Sequence, residues 1–334
     1  MGKREHCRTS VLFFPTFVNR FGCGKAQCTG VPSFRIGHAG FLDRLVWPDL
    51  NRRLSVAKET IVNRSNRAGQ IAELRKVVMW LYDKGRYHDA LPGAVQLVDW
   101  SRDSHGSSYP ELADSINILA MTYHALGQYD AAEPLHVEAL ELRRRCNGER
   151  SCAVAMSMNN LAALHFDCGK FGKSEELYLR SLEIDRNAQT LHNLGVLYHA
   201  MGRFAEAKPL FHEALEIRHE APGENSSSFA LTLNCLAALY FRMSDYAQAE
   251  SLWRRALKIR GRVSGRRHPD YARTLNNLGA VYYILGELAR AERFFMRALR
   301  IRRQVFGDIH GECAQTLDNL GSVSRAKGRF KKAL

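Results

Sequence analysis

The sequence lacks the long apolar run that a membrane-spanning helix requires. Such a helix needs about 18 to 20 consecutive apolar residues, and the longest candidate, Val11 to Val18, is interrupted by Pro15 and Thr16. We therefore expect a chain with no membrane partner. With 46% hydrophobic and 25% charged residues, its composition is typical of a folded protein rather than of a disordered one.

The cysteines lack the pairing that would indicate a disulfide framework, since none of the eight stands in a C-x-x-C arrangement. Several fall within helical patterns, where a buried thiol behaves as a small hydrophobic side chain. This usage favours a reducing compartment, so we expect a cytoplasmic location. The eight are Cys7, Cys23, Cys28, Cys146, Cys152, Cys168, Cys235 and Cys313.

Recognisable catalytic motifs are also lacking. No G-x-S-x-G segment occurs, and His212 does not begin a zinc-protease motif because Glu216 stands where the second histidine belongs. The stretch from Gly22 to Lys25 fails as a phosphate-binding loop because Ala26 replaces the required Ser or Thr. We expect no enzyme activity, no catalytic residue, no bound metal and no cofactor. The residues that could be drawn as a zinc site lack the spacing of a finger: His6, Cys7, Cys23, Cys28 and His38.

The charge of the chain is unbalanced towards basic residues. It has 48 Lys and Arg against 34 Asp and Glu, a net charge of +14, of which residues 1–60 carry +6. A basic excess attracts acidic partners, so we expect the ligand to be acidic. The basic residues are interleaved with acidic ones, which argues against a dedicated stripe for nucleic acid.

A repeating helical pattern dominates the chain from about residue 70 onward. Turn residues, called position g, recur at intervals of 42, 42, 33, 42, 42 and 42 residues. Before the turns from Gly127 onward, mostly apolar or aromatic residues at g−11, g−8 and g−4, with a small residue at g−7, define one face of a helix A. An aromatic residue or Leu at g+2, a small residue at g+5 and Leu or Phe at g+8 define a helix B after the turn. The repeat at Gly85 is degenerate, with Val78 at g−7. The turn residues are Gly85, Gly127, Gly169, Gly202, Ser244, Gly286 and Gly328.

This pattern resembles the tetratricopeptide repeat, and its 42-residue form resembles the repeats of kinesin light chains. The segments that carry the likeness include Ala132 to Leu135, His268 to Ala272 and Thr274 to Gly279. The resemblance covers about residues 70–334 and implies an all-α fold, a right-handed α-solenoid of stacked helix–turn–helix units. We expect this solenoid over residues 61–334, as about six hairpins and a final unpaired helix. Residues 1–60 are expected to be irregular or disordered.

The last helix A has no complete helix B after it in the sequence. Leu317, Leu320 and Val323 would then lack a packing partner. Two interpretations follow: this end docks onto another chain, for example through self-association, or the sequence is part of a longer protein.

Asparagines recur in helix A at g−9 and g−10, although Asn is a poor helix former. An amide both donates and accepts hydrogen bonds, so it can pair with the backbone of an extended peptide. The resemblance implies the same role, because in kinesin light chains asparagines of this motif contact bound peptide in a groove lined by helices A. The alternative is that these amides bridge adjacent repeats. The candidates are Asn117, Asn160, Asn193, Asn234, Asn277 and Asn319.

Two further sets of residues recur at fixed positions. Rings at g−3 could form pockets in the groove, or could be partly buried between neighbouring helices: His124, Phe166, His199, Phe241 and Tyr283. Arginines at g+16 suit the C-terminal dipole of helix B: Arg143, Arg218, Arg260 and Arg302.

The sequence therefore favours a non-catalytic scaffold that binds an extended peptide or partner protein in the groove. One alternative is the repeat portion, a sensor or adaptor, of a truncated or split multidomain regulatory protein. Another is nucleic-acid binding through the basic surface, which a steep salt dependence would indicate.

Overall fold

The structure, a computed structural model, describes residues 67–104, 109–221 and 223–328. These residues form thirteen α-helices and no strand, so the predicted all-α fold of helical hairpins is confirmed. None of the thirteen is both long and apolar enough to cross a membrane. The predictions for residues 1–60, and for the helix B expected to begin after Gly328, lie outside the described residues.

The described helices divide between two compact units, and the first unit ends at Asp185. Its six helices pack as successive hairpins, α1 with α2, α3 with α4 and α5 with α6, and each hairpin contacts the next. They are α1 (Arg67–Asp83), α2 (Tyr87–Ser104), α3 (Tyr109–Ala125), α4 (Tyr129–Asn147), α5 (Cys152–Asp167) and α6 (Phe171–Ile184).

The second unit begins at Arg186 and contains three hairpins and a thirteenth helix that packs on the last hairpin. In each hairpin the first helix is a helix A and the second a helix B. The helices are α7 (Ala188–Ala200), α8 (Phe204–Glu220), α9 (Ser227–Arg242), α10 (Tyr246–Val263), α11 (Pro269–Ile284), α12 (Leu288–Phe306) and α13 (Gly311–Ala326).

Each hairpin turns at a residue with left-handed backbone. At Gly127 the φ angle is 73°, and the N–H groups of Gly127 and Gln128 close the turn on the carbonyls of His124 and Tyr123, each at 2.9 Å. This geometry satisfies carbonyl groups at the helix end that have no partner within the helix. Ser244 adopts the same conformation with φ of 64°, although a side chain there is strained.

In five of the six described hairpins the core is built from a small residue at g−7 against a large ring at g+9, whereas the first hairpin has Val78 and Ala94 at these positions. A Cβ added to Gly195 would lie 2.9 Å from Cε1 of Phe211, and one added to Gly279 would lie 2.7 Å from Cε1 of Phe295. Only glycine lets these rings approach the backbone of helix A so closely. The g+8 residues proposed for this face are only partly buried, whereas the g+9 residues are fully packed: His136, Tyr178, Phe211, Trp253 and Phe295.

The expectation that α13 presents three unpartnered apolar residues is wrong for Val323. That side chain is 1% exposed and packs in a cluster with Tyr282 and Phe295 of the preceding hairpin. Leu320 packs partly against the same cluster, and Leu317 is 44% exposed. Of these three residues, only Leu317 is exposed.

Candidate functional site

In α9 and α11 the residues at g−9 and g−6 are buried, but α7 presents an accessible side at four positions, g−13, g−9, g−6 and g−2. In α7 these are Gln189 and Ala200, which are exposed, and Asn193 and Val196, which are half-buried. Their spacing of four, three and four residues places all of them on one side of the helix. Of these positions, only g−9 was identified from the sequence, whereas g−13, g−6 and g−2 were not. Their helical spacing from the g−9 asparagines could have shown that they share its side of the helix.

The same side of α5 in the first unit carries a comparable set. Met156 is 55% exposed, and Asn160 and Ala163 are half-buried. An exposed methionine adapts its shape to different apolar partners. Each unit therefore has at least one helix A with an accessible amide beside apolar or small side chains.

Most of the predicted asparagines are buried and bonded to one another. In a repeated arrangement, the g−9 amide of one helix A donates to the g−10 oxygen of the preceding helix A. The Nδ2-to-Oδ1 distances are 2.9 Å for Asn160 to Asn117, 3.3 Å for Asn277 to Asn234 and 3.1 Å for Asn319 to Asn276.

Burial, rather than this bonding, separates the six candidates into two groups. Asn117, Asn234, Asn277 and Asn319 are between 2% and 8% exposed, so bridging adjacent repeats, the alternative interpretation, describes them. Their side chains lie between two packed helices. Asn160 and Asn193 are half-buried and lie on the accessible surface. Ligand binding by these two stays a prediction.

Four of the five rings at g−3 pack against the ring at g+2 of the same hairpin, whereas the g+2 residue beside Tyr283 is Leu288. The centroids of Phe166 and Phe171 are 5.7 Å apart, as are those of His199 and Phe204. His124 and Phe241 are buried, whereas the rest of the set is half-buried. The buried pair is therefore closed to a ligand, and Phe166, His199 and Tyr283 remain candidates for its contacts.

Two of the g−3 rings have polar or electrostatic partners. His124 Nε2 lies 2.8 Å from Oδ2 of Asp167, which fixes its ring between two helices A. Burial, aided by the nearby Arg242, lowers the pKa of His199 to about 4. His199 is therefore neutral at physiological pH, and its Nε2 atom is buried.

The g+16 arginines form a structural element that their sequence position did not reveal. All four are buried, between 1% and 6% exposed, so the helix-dipole interpretation is incomplete. Arg143 donates through Nη1 to Oγ of Ser157 at 2.8 Å and through Nη2 to Oδ1 of Asp114 at 2.7 Å. It thereby ties helix B to its own helix A and to the next one.

The same arginine contact recurs in the second unit with a threonine as acceptor. Arg218 bonds Thr232, Arg260 bonds Thr274 and Arg302 bonds Thr316. Each arginine also donates to a carbonyl in the first turn of the following helix A, for example Arg260 to Asp270 O at 2.9 Å. These contacts fix the spacing between successive hairpins and so position the accessible side of helices A.

Family comparison agrees with this architecture. Sequence profiles described as tetratricopeptide repeat match residues 70–145, 228–304 and 275–334, and also residues 154–186 and 187–227. The chain belongs to the tetratricopeptide repeat family. The resemblance inferred from the turn spacing is thus confirmed, and such repeats are generally non-catalytic scaffolds for protein interaction.

Several solved tetratricopeptide repeat structures are similar to the chain. BtubC (BKLC) from P. vanneervenii is 29% identical with a TM-score of 0.54, over 63% of this chain and 87% of that one. Pseudomonas aeruginosa pilF is 19% identical with a TM-score of 0.51, over 67% and 88%. The TPR-like repeats of a putative kinesin light chain from Podosopora anserina are 19% identical with a TM-score of 0.46, over 58% and 96%. No protein of curated function matches the sequence.

Proposed function

We propose that this tetratricopeptide repeat chain is a non-catalytic scaffold that binds an extended segment of a partner protein along the accessible side of helices A. The observation that supports this most directly is the surface of α7, where the half-buried Asn193 lies between the exposed Gln189 and Ala200. A peptide backbone presents alternating donors and acceptors, which an amide can satisfy without reading side chains.

One hydrogen bond of Asn193 suits an exchange of partners. Its Oδ1 accepts from Nε2 of Gln189 at 2.9 Å, and both side chains lie on the accessible side of one helix. A ligand backbone can replace this bond without leaving a buried group unsatisfied. Replacing a bridging amide such as Asn277 would leave Asn234 unsatisfied in the core, at a cost of about 1 to 3 kcal/mol.

The small residues at g−6 supply space for the ligand. Ala163 in α5 and Val196 in α7 lie one helical turn from the accessible amides. Short side chains there leave room for a peptide to lie close to helix A, with its own side chains beside Met156 in one unit or His199 in the other. We propose that each unit offers such a surface independently.

The expected preference for an acidic ligand is not explained by this surface. Helix α7 contains no Asp, Glu, Lys or Arg, and α9 contains Arg242 alone. A nearly neutral surface favours recognition through backbone bonds and apolar contacts. The net charge of the chain therefore does not indicate whether the ligand of the groove is acidic.

Two further expectations accompany this proposal. A cytoplasmic location stays a prediction from cysteine usage, and none of the five cysteines in the described residues forms a disulfide. If the chain is instead the repeat portion of a longer regulatory protein, it would use the same surface, because that surface belongs to the repeats themselves.

A random twelve-residue peptide library displayed on phage, selected against the full chain, tests the proposal. Selected peptides should bind the wild type. A peptide that binds the first unit should lose about tenfold or more in affinity on Asn160→Ala, and one that binds the second unit should lose as much on Asn193→Ala. Asn225→Ala, an exposed asparagine in the loop before α9, should leave binding unchanged. Failure to enrich any peptide, or equal binding to all three variants, would contradict the proposal.

A further inference from the structure

The basic residues are concentrated in one part of the chain rather than evenly scattered. Residues 251–310 contain fourteen Lys and Arg against four Asp and Glu, a net charge of +10, whereas the residues outside this stretch and outside residues 1–60 carry −2. The expectation that interleaved acids dilute the basic surface is therefore wrong for this stretch, which spans most of α10 and all of α11 and α12.

These charges form rows on the outer sides of two helices B. Arg254, Lys258 and Arg262 are exposed on α10 at a spacing of four residues, which places them on one side of the helix. Helix α12 carries a second exposed row at similar spacing, formed by Arg293, Arg297 and Arg300. Both rows lie on helices B, whereas the peptide surface proposed above lies on helices A.

The row on α10 borders an open cleft of about 410 Å³. Gly261 and Tyr271 form part of its wall and lie close together, since a Cβ added to Gly261 would lie 3.3 Å from Cε2 of Tyr271. Arg297 of α12 reaches the same ring, with Nη2 3.5 Å from the Tyr271 hydroxyl. The lining residues are Arg254, Leu257, Lys258, Gly261, Arg262, Arg266 and Tyr271.

The positive charge in this cleft is largely uncompensated. Arg254 is paired with Glu250 at 2.7 Å, and the carboxylate of Asp270 is paired with Arg273. Within the described ranges, Lys258, Arg262 and Arg266 pair with no carboxylate. All three side chains are exposed. Like charges gathered in one cleft repel one another and create a strong field for an anion.

We propose that this cleft binds an extended, Asp/Glu-rich segment of a partner protein, at a site separate from the groove of helices A. Four residues of α-helix rise about 6 Å, and alternate side chains of an extended strand lie about 6.6 Å apart. The cations on α10 thus match carboxylates at every second position of the ligand. Arginine suits this role because its guanidinium can hold a carboxylate through two parallel bonds.

The lining of the cleft favours a peptide over a single-stranded nucleic acid. Binding of single strands relies on exposed aromatic rings on which the bases stack. Tyr271 is the one ring that lines the cleft, and it is 7% exposed with its face packed at Gly261. Leu257 instead offers a small apolar contact to the aliphatic part of Asp or Glu side chains.

The test compares two triple variants of the full chain that remove the same charge. Lys258→Gln, Arg262→Gln and Arg266→Gln neutralise the cleft, whereas Lys84→Gln, Arg145→Gln and Lys173→Gln neutralise exposed cations in the first unit. The probes are a fluorescein-labelled eight-residue peptide of alternating Glu and Ser, its Gln-Ser counterpart and an eight-nucleotide oligo-dT. Binding is measured by fluorescence anisotropy at two salt concentrations, with circular dichroism to verify folding.

The Glu-Ser peptide should bind the wild type, lose about tenfold in affinity on the cleft variant and change by less than about twofold on the matched control. The Gln-Ser peptide should not bind. Asn193→Ala should leave this binding unchanged, so failure of the groove proposal would not affect the result. Equal losses in both triple variants, or tighter binding of oligo-dT than of the Glu-Ser peptide, would overturn the proposal.

Discussion

Asn160 donates a side-chain N–H to Oδ1 of Asn117 at 2.9 Å and thereby joins two successive helices A of the first unit. The same bond recurs twice in the second unit, between residues 43 positions apart. The recurring asparagines of these repeats therefore align helices A with one another. We propose that the two half-buried asparagines, Asn160 and Asn193, have a second role in recognition.

Asn277→Ala should destabilise the chain more than Asn193→Ala does. Asn277 and Asn234 are 6% and 2% exposed, so the alanine leaves a buried amide oxygen without its partner, at a cost of about 1 to 3 kcal/mol. Asn193 is half-buried, and water can replace its bond to the exposed Gln189. Urea unfolding followed by circular dichroism gives both values. Equal shifts in the two variants would show that bridging contributes nothing to stability.

Arg302→Ala should cost about 2 to 4 kcal/mol in unfolding free energy, because the guanidinium is 1% exposed and joins α12 to Thr316 and to the carbonyl of Glu312. Its matched control is Arg300→Ala, an exposed arginine two residues earlier on the same helix, which should change stability by less than about 0.5 kcal/mol. Thermal melts of the two variants make the comparison. Similar melting temperatures would mean that the buried arginines do not hold the hairpins together.

Ser244→Gly should raise stability by about 0.5 to 1 kcal/mol. Ser244 has φ of 64° at a turn where the other repeats have glycine, and a side chain in this conformation is strained. The reverse change, Gly286→Ser at φ of 77°, should destabilise by a similar amount. Chemical denaturation measures both. A loss of stability in Ser244→Gly would show that the serine side chain makes a compensating contact.

His136→Phe should make the protein less sensitive to acid. Burial lowers the pKa of His136 to about 3, and neither ring nitrogen has a hydrogen-bond partner. The unfolded chain takes up this proton below pH of about 6.5, so wild-type stability should fall as the pH decreases from there towards 3.

At pH 5 this histidine alone should account for about 2 kcal/mol of the loss relative to pH 8. The phenylalanine variant should retain that amount, as Phe211 and Phe295 occupy the same position in other repeats. Urea midpoints at the two pH values provide the measurement. A pH dependence identical to that of the wild type would rule out His136 as a source of acid sensitivity.

The repeat architecture could be predicted because turn chemistry and helical periodicity act locally. Gly127 and Gly202 adopt positive φ angles at their turns, a conformation that glycine favours, so the turns could be predicted from residue type alone. The large core position at g+9 was missed because it holds His136 in one repeat and Trp253 in another, so no single residue type recurs. Size rather than chemical type is what the packing against g−7 requires.

The buried polar contacts could not be predicted for a different reason. An arginine such as Arg143 near a helix end is expected to be solvated, and its burial depends on Ser157 in the next hairpin. The asparagines pose the same difficulty, since their partners lie 43 residues away. Whether an amide bridges two helices or faces a ligand depends on packing between repeats, which the local pattern does not specify.

Photo-crosslinking tests the central claim, that helices A carry the binding surface for an extended peptide, most directly. A photoreactive phenylalanine analogue is placed at Ala200 on the accessible side of α7 or, as the control, at Ala205 on α8, which is also exposed. A peptide recovered from the phage selection that depends on Asn193 serves as the probe. The account predicts crosslinking from position 200 and little from position 205. Crosslinking from 205 alone, or equally from both, would contradict it.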